Sequence, residues 1–401
     1  MKEITVTEPY FVTTFSCSGS ACRDHCCKGW KITLDKATAK KYVSSKNETI
    51  RKIAKENIIL LKKDVNHWGE IKLPSALGNC PYLDEERLCL VQKTLGPKAL
   101  SRTCSVFPRA QHIFKHEVRH SLSLACPEVT ARILTDPEAM VINDKRMIQP
   151  QLNTAPEFHP EQKLLNLFCL SIVNHAESRP EAALYALVKF NLIAQKFSRI
   201  DDYALSELEQ VYNTLISQLQ NGELAKELQG MNSDRNIKVS LVLQMQNYFR
   251  SLAPSRGSVI LEQYIECLLR VLTMEAGTEL GQKVSETESL LDNALKQDEK
   301  YGAYALRNFI MYKIWEHNFP NQAGTEPLRA LYMIVAEYVF IKLLIAASVS
   351  ERGRLEWDDV INIVYSFHSR SQHNLEVASN FYQHIEAVRA GDDLSMIHLL
   401  A

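Results

Sequence analysis

Apolar residues recur every three or four positions along most of the chain beyond about Pro160, the spacing that places them on one helix face. This pattern indicates about ten helices joined by short polar segments. They are predicted over residues 162–175, 181–197, 203–218, 237–252, 260–274, 285–295, 301–316, 328–347, 357–368 and 376–389. No fixed 34- or 40-residue period relates them, so we expect an irregular all-α helical domain rather than a simple repeat array.

The N-terminal third has a different pattern, with short apolar runs separated by loops. Residues 3–15 are β-branched and aromatic around Pro9, which predicts one or two short extended pieces and not a central strand. A helix is predicted over 34–63 with Asp35 as its N-cap, a helical turn over 92–100, and a hairpin joining 111–115 to 117–124. The expected fold class is mainly α: a Cys-rich metal-binding unit with a few short strands over 1–135, then an irregular helical domain over 136–401.

The most apolar stretch, residues 331–347, contains Glu337 and Lys342. A charged side chain near the bilayer centre costs ~2.5–3.5 kcal/mol, so a buried helix is favoured over a membrane span. Residues 1–20 include Glu3 and Glu8 and lack the apolar run of a signal peptide. We therefore expect no membrane partner and a cytoplasmic location, where thiols remain reduced.

The overall charge conceals an asymmetry. The 401 residues include 46 Lys+Arg and 47 Asp+Glu, a net charge of −1 that provides no field to attract nucleic acid. Residues 1–126 carry 21 basic and 12 acidic side chains, a net of +9, whereas the remainder carries 25 and 35, a net of −10. Eight of the ten cysteines also lie in the first part, so the two parts are expected to perform different tasks.

The N-terminal cysteines are the strongest chemical signal. They are Cys17, Cys22, Cys26, Cys27, Cys80, Cys89, Cys104 and Cys126. Thiolates are soft ligands that bind zinc, copper(I) or iron–sulfur clusters, and four of them complete a zinc site or hold a [4Fe–4S] cluster. Adjacent side chains diverge, so either Cys26 and Cys27 serve different centres or one binds while the other packs. The isolated Cys169 and Cys267 are predicted to be buried packing residues.

Common cofactor and hydrolase motifs are absent from the sequence. Cys22 and Cys26 match the first interval of the C-x3-C-x2-C motif of radical S-adenosylmethionine enzymes, but Gly29 occupies the third cysteine position. No G-x-G dinucleotide-binding fingerprint, P-loop, H-E-x-x-H or G-x-S-x-G motif occurs.

Three segments together resemble the bacterial flagellin lysine-N-methylases. They are FSCSGSACRDHCCKGWKITLD (15–35), CPYLDEERLCLVQKTLGPKALSRTCSVFPR (80–109) and SLSLACPE (121–128). The C-x3-C-C and C-P-Y-L elements are shared with a wider group of zinc- or iron-chelating segments. The opening F-S-C-x-G-S-A-C, the S-L-x-L-x-C-P-E element and the full length favour the methylase branch. The motifs cover about residues 11–135.

The resemblance implies methyl transfer from S-adenosylmethionine to the ε-amines of surface lysines on flagellin. It also implies a [4Fe–4S] cluster, with zinc as the alternative metal, in place of a nucleotide-binding fold. Six cysteines are the candidate metal ligands: Cys22, Cys26, Cys27, Cys80, Cys89 and Cys104. Tyr82 and Arg109 are the candidate cofactor-binding residues. The acidic second part is a candidate surface for steering the lysine-bearing partner.

No catalytic side chain is assigned from the sequence. His25, Tyr82 and the acidic run Asp84, Glu85 and Glu86 are candidates for handling the proton of the lysine amine. The acidic run also reads as a solvated turn, and His25 as an exposed or supporting residue. Trp30 and Tyr82 could stack on the adenine of the donor, or they could simply pack over the metal loop. Arg109 could bind a carboxylate or form a surface ion pair. The alternative function is a non-enzymatic, zinc-stabilised protein-interaction module.

Overall fold

The fold is taken from a computed structural model of the 401-residue chain, which describes residues 2–149, 154–176, 179–231, 234–273, 279–322, 324–372, 375–388 and 394–401. It is mainly helical with a few short strands, as the sequence predicted. The strands are β1 Lys2–Pro9, β2 Ile32–Leu34, β3 Ile58–Leu60, β4 Gly69–Ile71, β5 Arg109–Ile113, β6 Glu117–Leu122 and β7 Ile142–Gln149.

The helices of the N-terminal third are short. They are α1 Tyr10–Thr13, α2 Lys36–Val43, α3 Glu48–Asn57, α4 Leu90–Leu95, α5 Arg102–Val106 and α6 Pro127–Thr135. Asp35 caps α2 as predicted, because its carboxylate accepts a hydrogen bond from the Thr38 N–H at 2.8 Å. The single predicted helix over 34–63 is wrong in extent. Asn47 caps a second helix, and the apolar run Ile58–Leu60 pairs as a strand with β4.

The ten helices predicted beyond Pro160 are present. With two short ones that the sequence pattern did not reveal, α10 and α18, the described helices are α7 Pro160–Asn174, α8 Pro180–Ala194, α9 Asp202–Gln220, α10 Glu223–Gln229, α11 Arg235–Ser251, α12 Ser258–Thr273, α13 Leu280–Gln297, α14 Ala305–Glu316, α15 Pro327–Arg352, α16 Trp357–Ser371, α17 Leu375–Glu386 and α18 Met396–Leu400. The predicted helix ends at 274 and 389 lie outside the described residues.

Strand β1 is the main departure from the predicted N-terminal pattern. It lies inside a four-stranded sheet of order β5-β6-β1-β7, parallel to β6 and antiparallel to β7. Pro9 is tolerated because it is the last residue of β1, so its missing N–H removes no hydrogen bond from the middle of the strand. The predicted hairpin is confirmed as β5 and β6, with Arg109 opposite Leu122.

A small hydrophobic core lies around a second, three-stranded sheet of order β2-β4-β3. Tyr42 of α2, Ile50 of α3 and Ile71 of β4 are buried in it, together with Cys80 and Tyr82. A separate and much larger core fills the helical part and includes α6 and the end of β6. The Cys-rich loops are therefore supported by a core of their own.

The central element of the larger core is α15. By length and composition it could span a membrane, but every residue of its apolar stretch is buried inside the protein, as a core helix requires. The prediction of a buried helix here is confirmed. Its charges are paired: Lys342 Nζ lies 2.7 Å from Glu181 Oε1 and 2.9 Å from Asp292 Oδ1.

Candidate functional site

Two loops that are distant in the sequence meet beside the small core. The backbone N–H of Cys80 donates to the carbonyl of Cys27 at 2.7 Å, and Lys28 and Asn79 form an isolated antiparallel bridge. Trp30 Nε1 donates to the carbonyl of Cys26 at 2.6 Å and so holds the turn that follows the adjacent cysteines. This pairing brings the thiols of the first and second Cys-rich segments into one region.

Two further thiols reach this region from helix starts. Cys89 immediately precedes α4 and bridges to Leu83, which folds the segment after Cys80 back on itself. Cys104 lies in α5, where its N–H donates to the capping hydroxyl of Ser101 at 3.2 Å. We call Cys26, Cys27, Cys80, Cys89 and Cys104 the thiol cluster, because Cys27, Cys80, Cys89 and Cys104 all pack in the small core and Cys26 directly precedes Cys27.

Burial makes most of these thiols difficult to ionise. Burial, with a smaller contribution from nearby thiolate charge, raises the pKa of Cys80 to about 12 and that of Cys104 to about 11. A hydrogen bond from the Cys27 thiol lowers the pKa of Cys26, so one thiolate is stabilised. A group of largely shielded sulfurs that repel one another when ionised would be stabilised by a bound soft cation.

The other N-terminal cysteines are arranged differently. Burial raises the pKa of Cys126 to about 11, and Cys22 contributes to this shift, so these two lie near each other. Cys17 is exposed. Among all His, Cys, Asp and Glu in the described ranges, no three are arranged to hold a metal ion. The donor chemistry of the thiol cluster suits a soft metal or an iron–sulfur cluster, but all six predicted ligands, Cys22 included, stay predictions.

Tyr82 and Arg109, the predicted cofactor contacts, occupy unlike environments. The Tyr82 side chain is only 1% exposed, and its ring packs edge-on against Tyr42 with centroids 5.5 Å apart. Arg109 is exposed at the start of β5, with its guanidinium 5.8 Å from the Phe15 ring centroid. The burial of Tyr82 agrees with a packing role over the thiols, and the cofactor role of both residues stays a prediction.

The residues predicted to handle the proton of the lysine amine lie in different environments. Asp84 and Glu86 each lie 2.7 Å from the exposed Lys93 ammonium, an arrangement typical of a solvated turn. His25 directly precedes the thiol cluster, and its Nδ1 is buried without a hydrogen-bond partner among the described residues. Burial, with the charges of Lys28 and Arg87, lowers the pKa of His25.

Arg256 joins the Cys-rich loops to the helical part, a role that sequence reasoning missed. Its guanidinium donates to the carbonyls of Asp24 at 2.8 Å and Ala125 at 2.7 Å, and its Nε lies 3.1 Å from Asp24 Oδ2. Its backbone N–H donates to the carbonyl of Gly29 at 3.0 Å. The Asp24 side chain is 1% exposed and also pairs with Lys28 at 2.5 Å. These partners flank Cys22, Cys26 and Cys126.

A cavity of about 130 Å³, which we call the junction cavity, lies where Arg256 joins the Cys-rich loops to the helical part. Trp30 and Phe107 form its aromatic wall, packed edge-to-face with centroids 4.9 Å apart, and Arg256 and Ser369 lie on the helical side. Trp30 therefore borders open space near the thiol cluster, whereas Tyr82 does not line this cavity.

The class defined by these features is a mainly helical protein with a thiol-rich N-terminal unit. The family model described as "FliB lysine N-methylase C-terminal domain" matches residues 166–399. Proteins named "Lysine-N-methylase" from Salmonella choleraesuis (strain SC-B67) and Salmonella typhimurium (strain LT2) are each 71% identical over 400 residues, covering both chains completely. The "Flagellar biosynthetic protein FliU" of Salmonella muenchen is 77% identical over 146 residues, 36% of this chain and 86% of that one. No solved structure matches the chain.

The chain belongs to the lysine N-methylase family, and the resemblance seen in the sequence motifs is confirmed.

Proposed function

We propose that this protein is a methyltransferase that modifies the ε-amines of lysines on flagellin, using S-adenosylmethionine as donor and a Cys-ligated [4Fe–4S] cluster. The observation that carries the enzymatic part is the full-length 71% identity to proteins named as lysine N-methylases. The name of the flagellar relative supports a flagellar substrate. The partly buried thiols brought together from separate segments support a metal cofactor.

The thiol cluster supplies the residues that would hold the metal group: Cys26, Cys27, Cys80, Cys89 and Cys104. A cluster with one iron free of cysteine would supply a chelating position for the amino and carboxylate groups of the donor's methionine part. Trp30, at the edge of the junction cavity, is better placed than the buried Tyr82 to contact a donor. An aromatic wall also suits a sulfonium, because ring faces attract cations.

Lysine has a pKa of about 10.4, so its ammonium must lose a proton before nitrogen can attack the methyl carbon. The two atoms must then be held in line at ~3–3.5 Å. We propose that the unpaired Nδ1 of His25 receives this proton, because it lies next to Cys26 without another partner among the described residues. His25→Asn should then slow methylation while leaving the metal content unchanged.

The test is purification without oxygen, followed by elemental analysis and incubation with flagellin and S-adenosylmethionine. We expect a brown protein that bleaches on reduction, and mass increments of one methyl at modified flagellin lysines. Reactions lacking the donor, and reactions with flagellin whose lysines are chemically blocked, are the controls. A metal-loaded, folded protein that adds no methyl group would contradict the proposal.

A zinc-stabilised interaction module is the second candidate, favoured by the separate small core that surrounds the Cys-rich loops. It predicts a colourless zinc protein that binds flagellin without modifying it. The same elemental analysis and mass measurement therefore distinguish the two functions.

We also propose that the acidic second part, with its net charge of −10 beyond residue 126, steers the lysine-bearing substrate. Charge reversal of exposed carboxylates such as Glu209 and Glu262 should slow substrate capture, most strongly at low salt. An unchanged salt dependence of the capture rate would refute steering.

A further inference from the structure

A cavity of about 220 Å³ opens between the end of α14, the first half of α15 and α17. Its apolar wall is formed by Ala330, Met333 and Ile334. Its polar wall includes His317, Glu337 and Tyr382. We call this space the α15 cavity, and it is distinct in its lining residues from the junction cavity near the thiols.

A buried group of charges lies behind the polar wall. Lys313 Nζ lies 2.8 Å from Glu337 Oε2 and 3.3 Å from Glu316 Oε2. His368 Nε2 lies 3.9 Å from Glu337 Oε2, and its Nδ1 is 2.7 Å from the carbonyl of Val364. The side chains of Lys313, Glu337 and His368 are at most 1% exposed. Glu337 is thus a deeply buried carboxyl group that also borders open space.

The charges in this group do not balance. Burial and the Lys313 charge lower the pKa of His317 and of His368 to about 3, so both imidazoles are neutral at physiological pH. One lysine therefore faces two carboxyl groups. At the rim of the cavity, Arg329 is already paired with Glu386. Burial raises the pKa of Glu337, as expected for the carboxyl group that lacks sufficient positive charge.

We propose that the α15 cavity binds the ammonium group of a lysine side chain, with Glu337 as its counter-charge. Met333 and Tyr382 would contact the methylene chain. Because Lys313 already occupies one oxygen of Glu337, the site suits the compact charge of an ammonium better than the two-point contact of a guanidinium. The identity of the ligand as a substrate lysine rests on the proposed function.

The position of the cavity indicates recognition and not reaction. Helix α16 turns His368 toward Glu337 and the next residue, Ser369, toward the Cys-rich loops, where its hydroxyl donates to the Ala125 carbonyl at 3.2 Å. The Glu337 group and the cavity lined by Trp30 and Arg256 are therefore separate, and they contact successive residues of α16. A lysine held at Glu337 would anchor the substrate while another lysine reacts.

The test is isothermal titration of the reduced full-length protein with n-butylammonium, which reproduces the end of a lysine side chain. We expect saturable binding with a dissociation constant on the order of millimolar, reasonable for so small a ligand. Glu337→Gln should weaken it at least tenfold, and n-butanol should not reproduce it. Glu299→Gln, at an exposed carboxylate that does not line the cavity, is the matched control and should bind as the wild type.

Ala330→Met provides a second variant that fills the cavity without changing its charges, and it should also abolish binding if Glu337→Gln does not fold. Absence of saturable binding by the wild type, or binding unaffected by either folded variant, would overturn the inference. A protein that methylates flagellin without binding n-butylammonium refutes only this inference. One that binds n-butylammonium but never methylates refutes only the proposed function.

Discussion

The ion pair between Arg256 and Asp24 should be a main energetic connection between the Cys-rich loops and the helical part. Replacing Arg256 with Met removes a guanidinium that is nearly inaccessible to solvent, together with its hydrogen bonds to the Asp24 and Ala125 carbonyls. Breaking a buried ion pair by removing one partner costs about 3–5 kcal/mol. Because Lys28 still pairs with Asp24 at 2.5 Å, we expect the lower end, about 3 kcal/mol.

A double-mutant cycle measures the interaction itself. Urea unfolding of the reduced protein would be followed by circular dichroism for the wild type, Arg256→Met, Asp24→Asn and the double variant. The two side chains are in direct contact at 3.1 Å, so we expect a coupling energy of about 2 kcal/mol, within the usual range for contacting charges. The slope of the unfolding free energy against urea concentration should be the same for all four proteins if the substitutions leave the unfolded state unaffected.

The reasoning fails if Arg256→Met costs less than about 1 kcal/mol, or if the two substitutions are additive within about 0.5 kcal/mol. Either result would mean that the junction is held by packing alone. Arg329→Met is the control, since it breaks an ion pair with Glu386 that is half exposed and should cost at most about 1 kcal/mol.

Three further predictions concern stability and metal content. Gly29→Ala should destabilise by about 2 kcal/mol or more in urea unfolding, because Gly29 has φ +67° and a Cβ there would lie 2.6 Å from the Arg256 nitrogen. Gly353→Ala is the control and should cost only about 1 kcal/mol, because Gly353 is left-handed (φ +72°) in open space. The unfolding free energy should fall between pH 7 and pH 5 by up to about 2 kcal/mol for each of His317 and His368. Both have pKa values of about 3 when folded and about 6.5 when unfolded, so unfolding takes up protons as the pH falls below 6.5. His317→Gln should reduce this loss of stability, and a variant with the same pH profile as the wild type would contradict the prediction. Cys80→Ser should lower the metal content of protein purified without oxygen by at least about half, whereas Cys17→Ser, at an exposed thiol outside the thiol cluster, should leave elemental analysis unchanged; equal losses would argue against the thiol cluster.

The helical part was accessible to sequence reasoning because its signal is local. Each long helix repeats its apolar residues at helical spacing, and the ten predicted helices are present. The short α10 and α18 provide too few turns for such a repeat. The extent of the first predicted helix was wrong because Ile58–Leu60 has neighbours that suit either a helix end or a strand, and only pairing with β4 decides between them.

The candidate site was predictable by residue type and not by arrangement. Cysteine composition identified the thiols, but whether Cys22 lies with Cys126 or with Cys26 depends on how separate loops pack. The central position of β1 also depends on partners more than 100 residues away, β6 and β7. Local pattern carries no information about such distant pairings.

Arg256 illustrates this limit most clearly. In the sequence it follows Ser255 and precedes Gly257 in what reads as a polar link between helices, with no motif around it. Its guanidinium donates to the carbonyls of Asp24 and Ala125, 232 and 131 residues away, and any residue type could supply those carbonyls. Its carboxylate partner, Asp24, is one of 47 acidic residues in the chain, so composition cannot reveal the pairing. The one local sign is Gly29, whose missing Cβ admits the Arg256 backbone, and a glycine beside cysteines is equally consistent with a tight metal loop. Only the folded chain distinguishes these explanations, because only there do the two segments meet.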